Sequence, residues 1–128
     1  MSFTIKSNES DLTVNFSDRV GDSFLVQLSS SNLTVTRGVS VYMDPSGIAN
    51  FLEWISQQEK PWVEEVGWES LEGEFKIFAA CSSLGAVTFR FMISNVYGGE
   101  DWEVETLLQS DLGQIPEMAR AAKVFFNN

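Results

Sequence analysis

The sequence predicts an α+β fold. The expected form is a curved antiparallel sheet of about six to seven strands with two helices packed on one face, in the order four strands, helix, three strands, helix. Three observations predict it. Apolar and polar residues alternate through the first third of the chain. Apolar residues then recur at helical spacing between Asp44 and Gln58. Alternation returns from Phe75 to Leu108, and a second helical stripe closes the chain. Period two marks half-buried strands, and period 3.6 marks an amphipathic helix. The 128 residues show no internal repeat, linker or low-complexity stretch and read as a single domain over 1–128. A chain of this size buries about two-thirds of its unfolded surface, so it needs no disulfide or metal to fold.

The elements follow in order. Leu12, Val14 and Phe16 point one way, with Thr13 and Asn15 between them. Asp18–Asp22, with Gly21, is a hairpin loop. Phe24, Val26 and Leu28 repeat the pattern as far as a turn at Ser29–Asn32. Leu33 and Val35, then Val39, Val41 and Met43, make the next strand, with a bulge expected at Arg37-Gly38. Phe3–Lys6 adds a short edge strand. Asp44-Pro45 opens the first helix, because Asp caps well and Pro suits the first helical position. Ile48, Phe51, Leu52 and Ile55 form its apolar stripe. It should end near Gln58, since Pro61 disfavours a helical Lys60. Phe75, Ile77, Ala79 and Cys81 alternate next, then Val87, Phe89, Phe91 and Ile93 after a turn at Ser82–Gly85. A loop at Tyr97–Asp101 leads to Trp102, Val104, Thr106 and Leu108. The last helix starts near Leu112, carries Ile115, Ala119, Ala122 and Phe126 on one stripe, and holds Pro116 in its first turn.

Composition narrows the chemistry. There is no histidine and one cysteine. Serine and cysteine nucleophiles usually depend on a histidine base, and zinc sites on several Cys and His ligands. The expectation is no catalytic residue, no metal site and no cofactor. Cys81 lies in an apolar stretch and reads as a small core residue. The polar N-terminus, MSFTIKSNESD, is no secretory signal, and the apolar runs fall short of the ~20 residues that span a bilayer. A soluble cytoplasmic protein is expected. Net charge is −10, made of −1 over residues 1–43 (four acids, three bases) and −9 over residues 44–128 (fourteen acids, five bases). This balance opposes binding to nucleic acid or to an anionic membrane and favours a basic protein partner. The plainer alternative is that the acids only keep the protein soluble. The oligomeric state stays open.

Residues 53–75 concentrate the signal. They hold three of the four tryptophans and seven of the eighteen acids, opposed only by Lys60. Trp62 follows Pro61 in a loop with acids on both sides, and an aromatic ring circled by charge is the usual anatomy of an interface anchor. The expected partner-binding residues are Trp62, Glu64, Glu65, Glu69 and Trp54, with Trp62 exposed. Trp68 and Trp102 are expected in the core. Glu72, at a strand start, is expected to cap local backbone N–H groups.

Several of these residues carry a resemblance. Trp62, Gly67-Trp68-Glu69-Ser70-Leu71-Glu72-Gly73, Gly85-Ala86-Val87, Trp102, Gly113-Gln114 and Phe125-Phe126 resemble an uncharacterised family of small bacterial proteins. That family is a domain of unknown function with a W…GW-x-SLEG motif, and the likeness covers nearly the whole chain. The family pattern often carries histidine where this chain has Ala86, which argues against histidine chemistry there. The resemblance implies bacterial origin and transfers no catalytic residue. Some small acidic families of similar size and layout are predicted immunity proteins of bacterial toxin systems, which implies an immunity-protein-like role.

Two functions are therefore weighed. The first is a non-enzymatic cytoplasmic bacterial protein-binding module, an immunity protein neutralising a basic toxin being its sharper form. Glu64, Glu65 and Glu69 would steer the partner. The alternative is a small-molecule-binding protein or a carboxylate-dependent hydrolase, with Phe78, Phe89, Phe91 and Tyr97 lining a pocket between sheet and helices. Glutamates spread over a convex face favour the first, and two glutamates in a concave pocket the second. A third role, a subunit pairing through a sheet edge, would show as a dimer.

Overall fold

The alternating segments do form strands, but the strands divide between two sheets. In the computed structural model, which describes residues 1–95 and 98–127, β1 (Ser2–Lys6), β2 (Thr13–Val20), β3 (Ser23–Ser29) and β4 (Thr34–Ser40) form one antiparallel meander. A second consists of β5 (Val66–Glu69), β6 (Phe75–Cys81), β7 (Ala86–Asn95) and β8 (Trp102–Asp111). Helix α1 (Gly47–Ser56) follows the first sheet, and α2 (Ile115–Phe126) follows the second after a 3-10 turn at Leu112–Gln114. The order is thus four strands and a helix, twice over. This corrects the expectation of a single curved sheet of six to seven strands with both helices on one face. Alternation identifies the residues that face a core, but it is blind to which strands pair. β5 is also only four residues long, too short for its Val66 and Trp68 to register as a period. The helices pack on each other, α1 against β5 and α2 against β1, so each meets the first strand of the half it does not follow.

One apolar core joins all the layers. Phe3, Ile5, Val14, Phe16, Phe24, Val26 and Leu28 enter it from the first sheet. Phe75, Ile77, Val87, Phe89, Phe91 and Ile93 enter from the second. Ile48, Leu52 and Ile55 of α1 and Ile115, Ala122, Phe125 and Phe126 of α2 close it. Phenylalanines bridge the layers: Phe75 meets Phe16 at 5.8 Å and Phe24 at 6.3 Å, and Phe3 meets Phe125 at 5.4 Å. Edge-to-face contacts of this kind add to plain area burial. The sheets are also tied by Arg37 of β4, whose Nε donates to the Ser94 carbonyl of β7 at 3.1 Å.

Local details depart from expectation for identifiable reasons. The β3–β4 register runs unbroken through Gly38, and the irregularity lies in β2 between Ser17 and Val20, where Asp18 takes a positive φ of 53°. Helix α1 begins at Gly47 rather than at Asp44-Pro45, because the Asp44 carboxylate instead accepts the Trp68 indole N–H at 2.8 Å. Met43 sits exposed with φ of 75°, off the face it was expected to share with Val39 and Val41. Pro116 does lie in the first turn of α2. Among the described residues, no helix is long and apolar enough to cross a membrane.

Candidate functional site

The tryptophans sort differently from their sequence neighbourhoods. Trp62, expected to be exposed, is only 8% exposed. Its indole N–H donates to the Ala79 carbonyl at 3.1 Å, so the loop after α1 is folded back over the β5–β6 end of the second sheet. Trp54, on α1, packs edge-on against Trp62 with ring centroids 6.1 Å apart and keeps 42% of its surface exposed. The next loop residue, Val63, is 99% exposed. The exposed aromatic of this region is therefore Trp54, braced from below by Trp62. Trp54 also lines a shallow groove with Asp44, Phe51, Val66 and Gly67, between α1 and the free edge of β5.

The acids around these rings are not equivalent. Glu59 and Glu64 are exposed, and among the described residues neither makes an ion pair. Glu65 is clamped by Arg90, with Nη2 to Oε1 at 2.7 Å and Nε to Oε2 at 3.1 Å. The same guanidinium lies 4.4 Å from the centre of the Phe78 ring, a cation–π contact. Glu69 pairs with Lys76 at 3.6 Å. These groups occupy the outer face of the second sheet, where Gly67, Phe78, Arg90 and Leu107 stand in register across all four strands. Trp54 and this face meet around the β5 edge. Gly67 lets the Phe78 ring of β6 lie close over β5, because a Cβ there would collide with the Ile77 carbonyl and the Phe78 ring.

The Arg90 hydrogen bonds hold the Glu65 carboxyl below its ordinary value of 4.5. A depressed folded value means that the pair stabilises the protein above that ordinary value. The contribution fades as pH falls through the lowered folded one. The pair is partly exposed and screened, but bidentate. A double-mutant cycle on Glu65→Gln and Arg90→Met should give a coupling of about 0.5–1 kcal/mol at neutral pH. Urea curves repeated in acid should show that coupling vanish; coupling that survives there would refute the assignment.

The GWESLEGEF stretch has a structural account. Trp68 is half-buried against Phe75 and bonded to Asp44. The Ser70 hydroxyl accepts the Phe75 N–H at 3.1 Å, and Gly73 turns the chain with φ of 78°. Glu72 is exposed, and among the described residues it caps no backbone N–H. Trp102, expected in the core, is 40% exposed at the mouth of β8 beside Glu100, Asp101 and Glu103. Acids flank Trp102 on both sides as they flank Trp62, yet one ring is half-exposed and the other buried, so flanking charge alone does not place a ring.

The second functional expectation fares differently. Phe89 and Phe91 fill the core, Phe78 faces the other side of the sheet, and Tyr97 lies outside the described residues. The discriminating geometry is split. Glu64, Glu65 and Glu69 lie on the exposed surface, whereas Glu72 and Glu74 line an open groove between the two sheets. Cys81 is half-buried, and burial pushes its thiol up, away from nucleophilic thiolate character.

The family model described as "Family of unknown function (DUF6228)" matches residues 5–128. No curated protein matches the chain.

Proposed function

The chain belongs to this family of unknown function, and from the surface at the β5 edge we propose that it is a non-enzymatic module that binds a basic protein. The observation that carries this reading is the half-exposed Trp54 ring, braced by Trp62, in a stretch of chain whose Glu59 and Glu64 are exposed and make no ion pair among the described residues. A rigid aromatic held upright by a buried neighbour presents area at little entropic cost, and free acids around it steer a cationic partner. The −9 carried by residues 44–128 supports the same sign of partner. Glu65 and Glu69 are already paired, so they contribute field rather than free contacts. The sharper form is an immunity protein in the bacterial cytoplasm, neutralising a basic toxin.

The test uses the full chain as bait in lysate of its source organism, followed by purification of the retained protein and direct titration. The expected result is one basic protein whose affinity falls steeply between low salt and about 0.5 M, where screening lengths shrink to a few ångströms. Trp54→Ala should weaken it by about tenfold or more, the scale of an interface anchor, and Glu64→Lys should slow association. A retained partner bound equally well by both variants would place the interface elsewhere.

A further inference from the structure

The groove between the sheets holds a carboxylate that the protein itself leaves unanswered. Glu74 lies just before β6, in step with the outward-facing Lys76 and Phe78, yet is only 6% exposed, and among the described residues its Oε1 is sealed from solvent without a hydrogen-bond partner. Its backbone is fixed, since its carbonyl accepts the Ser94 N–H at 3.0 Å. Arg37 lines the same groove but directs its Nε to the Ser94 carbonyl and its Nη1 to the Gly38 carbonyl at 3.2 Å. No ion pair joins Arg37 to Glu74 among the described residues. An isolated buried carboxylate is costly, and an ionised carboxylate can only accept hydrogen bonds. What it lacks is a donor that carries positive charge.

We propose that Glu74 anchors a binding site for an organic cation, an alkylguanidinium or alkylammonium head, in the groove between the first sheet and the turn that precedes β6. Asp18 and Glu72 line the same groove and outweigh Arg37, which sets its sign. Val20 and Leu25 offer apolar walls for the stem of such a ligand. Among the described residues no three acids gather as metal ligands, so the site offers one hydrogen-bonding carboxylate in an acidic groove rather than a chelate. The cation is either a free amine or guanidine, or the side chain of a lysine or arginine. The site lies apart from Trp54, so its test stands or falls independently of the partner-binding reading.

The test is a titration of the isotope-labelled full chain with methylguanidinium chloride and with butylammonium chloride, against sodium chloride at equal ionic strength, followed by amide chemical shifts. The expected result is saturable shifts centred on Gly38, Glu74 and Ser94 that sodium chloride does not reproduce. Glu74→Gln, isosteric and neutral, should weaken them by about tenfold or more, the scale of one charge-assisted hydrogen bond. If that variant does not fold, the wild-type shift map decides alone. Shifts that grow without saturation, scatter over the acidic surface, or persist in a folded Glu74→Gln overturn the proposal. A blocked arginine amide binding the same amides more tightly than methylguanidinium assigns the source to a protein side chain; weaker binding assigns it to a small molecule.

Discussion

Phe75→Ala is expected to cost about 3–5 kcal/mol of unfolding free energy, the range for removing a fully buried phenylalanine. Among the described residues, Phe75 is the ring of the second sheet that meets rings of the first. It meets Phe16 and Phe24 of the first sheet edge-on, Phe91 of its own sheet at 6.3 Å, and Trp68 at 6.5 Å. Its loss opens a cavity between two sheets that share no ladder hydrogen bonds among the described residues, so neither can close the gap without moving as a body. A domain of this size has only about 5–15 kcal/mol of net stability, and the variant would stand close to unfolding. Phe78→Ala is the control. Phe78 lies three residues on, on the opposite face of the same strand, half-buried beneath Arg90. It should cost less than half as much. Urea denaturation of both variants decides the matter, and equal losses would mean that the sheets do not depend on Phe75 for their contact.

That contact is the part of the fold the sequence hides. Each strand announces its inward face through period two, and the inward residues Val14, Phe16, Phe24, Val26, Phe89 and Phe91 all lie in the core. Partnership between strands is a different matter, because a buried phenylalanine satisfies the same alternation whether its sheet has four strands or seven. Helix α1 and the loop over Trp62 separate β4 from β5, and nothing in the local pattern states that the meander stops there. The proposed site follows from composition, but which of its rings is exposed does not, for a related reason. Charge around Trp62 pointed to exposure, yet its indole N–H finds the Ala79 carbonyl, a long-range bond no spacing predicts. The same charge rule, applied to Trp102, would have placed that ring correctly. Glu74 was visible only as one acid among seven; its burial follows from its neighbour Phe75 being drawn into the core and from Gly73 turning the chain just before it.

Trp62→Ala should therefore act as a stability variant and not as a binding variant. The indole is buried against Trp54 and the β5–β6 end of the sheet, and truncation removes its packing and leaves the Ala79 carbonyl without the indole donor. The expected loss is about 3–5 kcal/mol. Trp62→Phe keeps most of the ring and loses mainly the hydrogen bond, so about 1–2 kcal/mol is expected. Trp54→Ala gives up a half-exposed ring and should cost roughly 1 kcal/mol or less, the usual scale away from a fully buried site. The three variants together separate support from contact. If Trp54 is the anchor, Trp54→Ala lowers partner affinity at nearly unchanged stability, whereas Trp62→Phe shifts the melting curve more than it shifts binding. If instead Trp62→Ala melts like the unaltered protein, the loop is not held by its indole. Trp54 would then lose its brace, and with it the rigidity on which the aromatic anchor depends.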